Sequence, residues 1–184
     1  MPRGSYLKNY FKDIKVGAVA PSSRFVIKKV IKLLHRSTKY VVEYGAGDGV
    51  MTKEILKMLP KDGVLVAVET NNVLIKELKK IHDPRLVIMH EDVLKVSKDF
   101  SMLGLPQIDV VISGIPFSFF KSAIRKELIR RTAHGLDAHG QFIVYQYSIL
   151  VMPILKKHFK TVKVSFEPRN FLPYFIMRAE KPIS

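Results

Sequence analysis

Residues 40–50 read YVVEYGAGDGV, an apolar run followed by three glycines at alternate positions. The run has the β-branched and aromatic composition of a buried strand, and residues 51–59 repeat apolar side chains at helical spacing. We therefore predict that Gly45, Gly47 and Gly49 form the turn between a strand and a helix, where no side chain keeps a ligand away from the backbone. Their G-x-G-x-G spacing differs from the G-x-G-x-x-G of dinucleotide sites.

The rest of the sequence alternates between segments of strand periodicity and of helix periodicity. The predicted strands cover residues 40–44, 64–69, 86–90, 109–113, 141–146, 161–166 and 174–178. The predicted helices cover residues 23–35, 51–59, 72–82, 119–134 and 149–158. This alternation indicates an α/β protein with a mostly parallel sheet that is covered by helices on both faces. Because the chain has 184 residues and no linker-like segment, we expect a single domain over residues 1–184.

The composition is strongly basic, with 31 lysines and arginines against 16 aspartates and glutamates and a formal charge of +15. Such a surface favours polyanionic partners, either nucleic acid or an anionic membrane. The absence of cysteine excludes disulfides, thiolate metal sites and cysteine nucleophiles. The six histidines show no metal-ligand spacing, so no metal is predicted. The most apolar segment, residues 142–155, is shorter than the roughly 20 residues of a spanning helix, and we expect a soluble, cytoplasmic protein.

Acidic residues follow or end three successive predicted strands, at Glu43, Glu69 and Asp92. Because the carboxyl ends of parallel strands meet at one edge of a sheet, these side chains are expected near the glycine turn. S-adenosylmethionine matches them, since its sulfonium, amino group, ribose hydroxyls and adenine amine are all cations or hydrogen-bond donors. We expect Glu43 near its methionine end, Glu69 at the ribose and Asp92 at the adenine amine. Each acid taken singly is also explained as a helix N-cap or a solvated strand end.

Four segments in this order resemble the class I S-adenosylmethionine-dependent methyltransferases: EYGAGDG (43–49), VAVE (66–69), HEDVL (90–94) and SGIPF (113–117). The resemblance implies a Rossmann-like fold whose seven-stranded sheet has the order 3-2-1-4-5-7-6, with the last strand antiparallel. It also implies S-adenosylmethionine as cofactor and S-adenosylhomocysteine as its product. The positions that match the cofactor site are Glu43, Gly45, Gly47, Gly49, Glu69, Thr70, Asp92, Val93 and Ser113.

The segment SGIPF also resembles the N-[IL]-P-[YF] motif of the adenine dimethyltransferases that act on ribosomal RNA. In those enzymes an asparagine carbonyl accepts a hydrogen bond from the target amine, and Gly114 stands in its place here. We also expect no helical RNA-binding extension, because the sequence ends at Ser184 directly after the last predicted strand.

Other segments resemble the soluble bacterial phospholipid N-methyltransferases, which methylate phosphatidylethanolamine. They are GAVAPSSRF (17–25), SGIP (113–116), QYS (146–148) and RNFLP (169–173). The departures from that family's pattern are Tyr147, Ser148 and Leu172.

This second resemblance implies methyl transfer to the amine of a phospholipid headgroup, with Arg169 at the lipid phosphate. Ser113, Gly114 and Tyr147 are the candidate catalytic residues. The candidate substrate-binding residues are Ser22, Ser23, Pro116, Phe117, Tyr147, Arg169 and Asn170. An RNA adenine methyltransferase is the alternative, and a non-catalytic binding module that keeps the cofactor fold is a third interpretation.

The N-terminal residues 1–16 are predicted to form a basic amphipathic helix ahead of a Rossmann-like core over residues 17–184. Its apolar and basic faces consist of Leu7, Lys8, Tyr10, Phe11, Lys12, Ile14 and Lys15. Such a helix can lie in the interface of an anionic membrane, which predicts peripheral association with the inner face of the cell membrane. The alternative is that the same apolar stripe packs on the domain as a lid.

Overall fold

The central sheet contains seven strands in the order β3-β2-β1-β4-β5-β7-β6. Its coordinates come from a computed structural model that describes residues 23–169 and 172–183. The predicted amphipathic helix over residues 1–16, Ser22 and Asn170 lie outside the described residues. The strands are β1 (Tyr40–Tyr44), β2 (Val64–Glu69), β3 (Leu86–His90), β4 (Val110–Ser113), β5 (Gln141–Gln146), β6 (Phe159–Glu167) and β7 (Tyr174–Pro182).

Strands β1 to β5 pair in parallel, whereas β7 runs antiparallel to both of its neighbours, β5 and β6. The predicted strand order and the antiparallel last strand are confirmed. Helix α1 (Arg24–Ile31) precedes β1. The helices between successive strands are α2 (Val50–Met58), α3 (Asn72–Leu78), α4 (Val93–Val96), α5 (Ser122–Gly135) and α6 (Met152–His158).

Both faces of the sheet are covered, which explains why the central strands are apolar at successive positions. Val41 and Val42 point to opposite faces of β1, and both are fully buried. Helices α4, α5 and α6 cover the face of Val42, while α1 and α2 cover the face of Val41. Among the described residues, no helix combines the length and the apolarity needed to cross a bilayer.

Some predicted boundaries of strands and helices differ from those in the structure, because backbone hydrogen bonding does not follow the apolar pattern there. Strands β6 and β7 both extend beyond the predicted segments, because their antiparallel ladder continues to the pair Phe159 and Pro182. Most side chains of β6 are exposed there, so apolar patterning underestimates its length. Helix α5 begins later than predicted, since residues Phe117–Phe119 form a separate 3-10 turn.

The turn after β1 is packed against α3. Gly45, Gly47 and Gly49 all have positive φ, the left-handed region that L side chains rarely adopt. A Cβ at Gly49 would lie 2.7 Å from Ile81 Cδ1 and 3.0 Å from Leu78 Cδ2. At Gly47 a Cβ would meet nothing within 4 Å. The two glycines therefore share the backbone requirement, but only Gly49 is also confined by its neighbours.

This difference predicts unequal costs for the same substitution. Gly47→Ala should lower the free energy of unfolding by about 1–2 kcal/mol, the cost of a left-handed alanine. Gly49→Ala should lower it by at least about 1 kcal/mol more, because the added methyl group also overpacks the contact with α3. Urea unfolding of both variants measures the difference. Equal losses would contradict the packing of the turn on α3.

Candidate active site

The carboxyl ends of β1 to β5 bring the predicted site residues to one edge of the sheet. Paired positions place the ends of β1, β2 and β4 side by side, with Tyr44 opposite both Val68 and Ser113. The strand order reverses at β1, because β2 lies on one side of it and β4 on the other. In open α/β sheets a crevice forms at such a point, and ligands bind there.

Glu43 is fully buried beneath the glycine turn. Its Oε2 accepts a hydrogen bond of 2.6 Å from the Thr52 hydroxyl on α2, while Oε1 has no hydrogen-bond partner among the residues that the structure describes. Burial raises the pKa of Glu43 to about 8, and the bond from Thr52 offsets only part of this effect. A buried acceptor without a donor fits a cationic or N–H group of a ligand, such as the amino group of S-adenosylmethionine.

Glu69 links the glycine turn to the end of β2. Its Oε2 accepts from the Gly47 amide at 3.0 Å, and its Oε1 accepts from the Thr70 and Asn71 amides at 2.7 and 2.9 Å. A carboxylate offers about four acceptor positions, two on each oxygen. Three are used within the protein, which leaves one on Oε2. The carboxylate can thus accept a ribose hydroxyl without giving up its contact with the turn.

Asp92 is the N-cap of α4. Its Oδ1 accepts from the Leu94 amide at 2.8 Å, and its own amide donates to Glu91 Oε1 at 2.8 Å. Burial raises the pKa of Asp92. Its other oxygen, Oδ2, receives no hydrogen bond from the residues that the structure describes. The following residue, Val93, packs in the core below this loop.

Ser113 and Gly114 end β4 beside the glycine turn. Ser113 is fully buried, and its hydroxyl oxygen accepts from the Ile115 amide at 3.3 Å. The Gly114 amide donates to the Tyr44 carbonyl at 3.3 Å. A Cβ at Gly114 would lie only 2.5 Å from the hydroxyl oxygen of Tyr145 and 2.7 Å from its Cζ. The Tyr145 ring therefore occupies the space that a larger side chain at position 114 would need.

Sequence reasoning missed Tyr145. Ser113 pairs with Val144 across β4 and β5, so the next residues along each strand, Gly114 and Tyr145, are neighbours. The signal was present in residues 145–147, YQY, because residues two apart in a strand project from the same face. Tyr145 therefore lies on the same face of β5 as the predicted site residue Tyr147.

Phe117 departs from its predicted place in the substrate pocket. Its ring is fully buried and packs against Phe120 and Phe142, with ring centroids 5.9 and 6.2 Å away. Its amide donates to Gln146 Oε1 at 2.9 Å, which ties the loop after β4 to the end of β5. Pro116 immediately precedes this 3-10 turn. The ring of Phe117 is a core side chain here rather than the wall of a pocket.

Tyr147 lies at the surface of the same edge. Its hydroxyl shares a hydrogen bond of 2.5 Å with the Ser118 hydroxyl, and its ring centroid is 6.3 Å from that of Phe119. Tyr147 thus joins the loop after β5 to the loop after β4.

Arg169 forms an ion pair with Glu167. Its Nε and Nη2 donate to the two oxygens of Glu167 at 2.7 and 3.0 Å, and its guanidinium carbon lies 4.2 Å from the centre of the Phe25 ring. Glu167 is fully buried and also pairs with Lys29 at 3.0 Å. Arg169, assisted by Lys29, holds the pKa of Glu167 at about 2. Ser23 is the N-cap of α1.

Within the described residues, no three histidine, aspartate or glutamate side chains are grouped so that they could hold a metal ion.

A family model described as ribosomal RNA adenine dimethylase matches residues 19–119. The chain belongs to this ribosomal RNA adenine dimethylase family. An ornithine lipid N-methyltransferase from Singulisphaera acidiphila is 25% identical over 173 residues, which cover 91% of this chain and 90% of the relative. Ribosomal RNA small subunit methyltransferase A from Blochmanniella pennsylvanica is 27% identical over 171 residues, which cover 82% of this chain but only 64% of the relative.

Solved structures support the same fold. The N-methyltransferase NodS from Bradyrhizobium japonicum, in complex with S-adenosyl-L-homocysteine, superposes with a TM-score of 0.72 at 12% identity. The superposition covers 98% of this chain and all of that structure, 100%. This member of the ribosomal RNA adenine dimethylase family is an S-adenosylmethionine-dependent methyltransferase with a Rossmann-like fold. The similar proteins are named for different acceptors, so the acceptor requires a separate argument.

The buried Glu43 predicts an unusual dependence of stability on pH. Between its ordinary pKa of 4.5 and about 8, Glu43 holds a proton in the folded protein and releases it on unfolding. Stability should therefore fall as pH rises through this range, by about 1.4 kcal/mol for each pH unit. Glu43→Gln cannot titrate and keeps an acceptor for Thr52. Its unfolding free energy, measured in urea, should gain on that of the natural protein with rising pH and stop gaining above pH 8. A constant difference would mean that Glu43 is ionised in the folded protein.

Proposed function

We propose that the protein transfers a methyl group from S-adenosylmethionine to the amine of a phospholipid headgroup, converting phosphatidylethanolamine towards phosphatidylcholine at the inner face of the cell membrane. The observation that carries the proposal is the contact between Gly114 and Tyr145. A flat adenine is held by hydrogen bonds to its edge and by stacking on an aromatic face. Gly114 has no side-chain amide, and the ring of Phe117 is turned into the core. An aliphatic amine needs neither an amide acceptor nor a stacking face.

The pattern of sequence similarity supports the same acceptor class. The relative named for ornithine lipid matches over nine-tenths of both chains, whereas the ribosomal RNA methyltransferase extends well beyond the matched region. Phosphatidylethanolamine and an ornithine lipid share a primary amine on a lipid, and that amine is the chemistry that the site would recognise. The experiment below separates the two headgroups.

The cofactor assignments of the sequence form part of the proposal. Oε1 of Glu43 would accept from the amino group of S-adenosylmethionine, Oε2 of Glu69 from a ribose hydroxyl, and Oδ2 of Asp92 from the adenine amine. The turn of Gly45, Gly47 and Gly49 would lie against the methionine part, as would Ser113, and Thr70 and Val93 would flank the ribose and the adenine. Bound there, S-adenosylmethionine supplies an activated methyl group.

The acceptor side must present a neutral amine, because an ammonium has no lone pair. A primary alkylamine has a reference pKa near that of lysine, about 10.4, so the site has to favour the uncharged form. Desolvation acts in this direction, and so does a scarcity of carboxylates in the part of the chain that supplies the loops after β5 and β6. From position 138 to position 179 the sequence has one acid, Glu167, which is buried and already paired with Arg169 and Lys29. The hydroxyls of Tyr145 and Tyr147 can then orient the amine by hydrogen bonds, and its proton leaves to solvent.

An RNA adenine methyltransferase is the second candidate. The family model and the charge of +15 favour it, since ribosomal RNA is a polyanion. Two observations disfavour it: Gly114 has no side-chain amide, and the ring of Phe117 is buried.

Transfer of radiolabelled methyl groups separates the candidates. The protein is incubated with labelled S-adenosylmethionine and, in parallel, with vesicles containing phosphatidylethanolamine, vesicles containing ornithine lipid, and undermethylated ribosomal RNA. Label that enters the organic phase on phosphatidylethanolamine is the expected result. Label on ornithine lipid alone would keep the lipid class and change the headgroup, while label on RNA alone would refute the proposal.

A substitution at Gly114 tests the acceptor site directly. Gly114→Asn should lower kcat/KM for the lipid by at least about tenfold, because the new side chain collides with the Tyr145 ring, a cost of the size expected for overpacking. The affinity for S-adenosylmethionine, measured by calorimetry, should stay unchanged. Gly104→Asn is the matched control, since Gly104 has positive φ and open space around it, and asparagine tolerates that conformation. Normal lipid kinetics of Gly114→Asn would remove this position from the acceptor site.

Arg169 is proposed to meet the lipid phosphate with the edge of its guanidinium that Glu167 leaves unused. Arg169→Lys keeps a positive charge beside Glu167 but loses the planar fork. It should raise KM for the phospholipid by about tenfold, the scale of one lost charge-assisted hydrogen bond, with cofactor affinity unchanged. Arg178→Lys is the control, because Arg178 pairs with Glu180 at 2.8 Å within β7, away from the site. An unchanged KM would exclude Arg169 from headgroup binding.

A further inference from the structure

The carboxyl edge of the sheet is divided by charge. On the side of β1 to β3, the loops carry Asp48, Glu69, Glu91 and Asp92. On the side of β4 to β7, the corresponding loops cover residues 114–121, 147–151 and 168–173, and they contain no acidic residue. The acidic half suits a cationic cofactor, whereas the other half is open to an anionic partner.

The loops and the strand end on the acid-free half carry exposed apolar side chains. They come from three loops and from the end of β6, and we call them the apolar rim: Phe119, Ile149, Leu150, Phe166 and Leu172. Ile149 and Leu150 are neighbours in the sequence with 43% and 45% of their surface exposed. Large exposed apolar side chains that gather at one site mark an interaction surface or a membrane contact.

The rim is held in place rather than loosely attached. Below Ile149 and Leu150, Val151 is fully buried, and the Leu150 amide donates to the Ser148 hydroxyl at 3.1 Å. The Gln146 side chain donates through Nε2 to the Ser148 carbonyl at 2.6 Å. Its Oε1 accepts from the Phe117 amide, in the loop after β4. These contacts present the apolar pair at the mouth of the crevice, next to Tyr147.

Basic side chains lie on the same half of the edge. Arg169 is 59% exposed, and its partner Glu167 is fully buried, so the group that the two form with Lys29 keeps a net positive charge. Lys121 is exposed on the loop after β4, and Lys126 is exposed near the start of α5. Lysine and arginine side chains are attracted to an anionic bilayer. Apolar side chains inside a basic border are the pattern of a membrane-surface contact.

We propose that the apolar rim docks on an anionic membrane, with Ile149 and Leu150 entering the acyl boundary and the basic border meeting lipid phosphates. The proposal rests on the proposed function, because docking there turns the mouth of the crevice towards the headgroups. The proposed contact uses residues other than the predicted helix over residues 1–16. RNA is the less suitable occupant, since three of the five rim residues, Ile149, Leu150 and Leu172, have no aromatic face on which a base could stack.

The sequence contains no tryptophan, so a single introduced tryptophan reports on its own position without background. Ile149→Trp in the full chain is mixed with vesicles made of equal parts of phosphatidylglycerol and phosphatidylethanolamine. Its emission should shift to shorter wavelength and be quenched by lipids that carry bromine in the acyl chain. Met58→Trp is the matched control, because Met58 is also 43% exposed but ends α2 at the opposite edge of the sheet. Emission from Ile149→Trp that stays unshifted and unquenched while the protein binds the vesicles would overturn the proposal.

Loss of the rim provides the second measurement. Ile149→Ser with Leu150→Ser should lower the partition coefficient for these vesicles by at least about tenfold, given the apolar area removed. Met58→Ser with Met102→Ser removes two exposed methionines elsewhere and should change it little. Equal effects of the two double variants would overturn the rim as a specific contact.

Neither readout requires methyl transfer, so the two proposals fail separately. Insertion of Ile149→Trp without methylated lipid would leave the docking surface standing and refute the proposed function. Methylated lipid with Ile149→Trp remaining in water would refute the docking surface alone. An emission change with ribosomal RNA but not with vesicles would refute the docking proposal and favour RNA as the substrate.

Discussion

Hydrogen bonds between the glycine turn and the end of β2 set the position of every other part of the site. The Gly45 and Ala46 amides donate to the Val68 carbonyl at 2.9 and 3.2 Å, and the Gly47 amide donates to Glu69. They hold the turn flat over the carboxyl edge of the sheet, directly above the buried Glu43. A side chain at position 45 would be confined, since a Cβ there would lie 2.9 Å from Ile115 Cγ1. The left-handed backbone of the turn is stabilised because the sheet below it supplies the acceptors.

The distribution of charge follows from the same edge. Acidic groups are concentrated where a cationic cofactor would lie, and they are either hydrogen-bonded to backbone amides or buried with a raised pKa. On the acceptor half, the buried Glu167 is neutralised by Arg169 and Lys29 instead of facing the crevice. A free carboxylate beside an amine would stabilise the protonated form, which cannot react. With Glu167 neutralised, an amine on this side loses its proton more readily. The protein is thus basic overall, while the half of the carboxyl edge beside β1 to β3 is acidic.

Much of the fold could be predicted from the sequence because it depends on local patterns. Strands β1, β2, β3 and β5 begin and end where apolar composition places them, and the three acids reach one edge because parallel strands all end there. The extended ladder of β6 and β7 was missed, since pairing between strands continues after the apolar pattern stops. Arg169 shows a similar gap at the site, because its bond with Glu167 depends on a turn whose geometry the residue types do not reveal.

The sequence by itself determined the class of protein, the glycine turn, and the acids at the carboxyl edge of the sheet, because these features follow from periodicity and from residue types within short segments. Only the tertiary structure decided how the loops after β4 and β5 pack against each other. Gly114 and Tyr145 are 31 positions apart, and Phe117 and Gln146 are 29 apart, so their contacts arise from the pairing of β4 with β5. That pairing places a phenol where a side chain at position 114 would extend and turns the Phe117 ring inward. The reason is physical: which side chains share a crevice is set by strand register, and register is a property of the folded sheet.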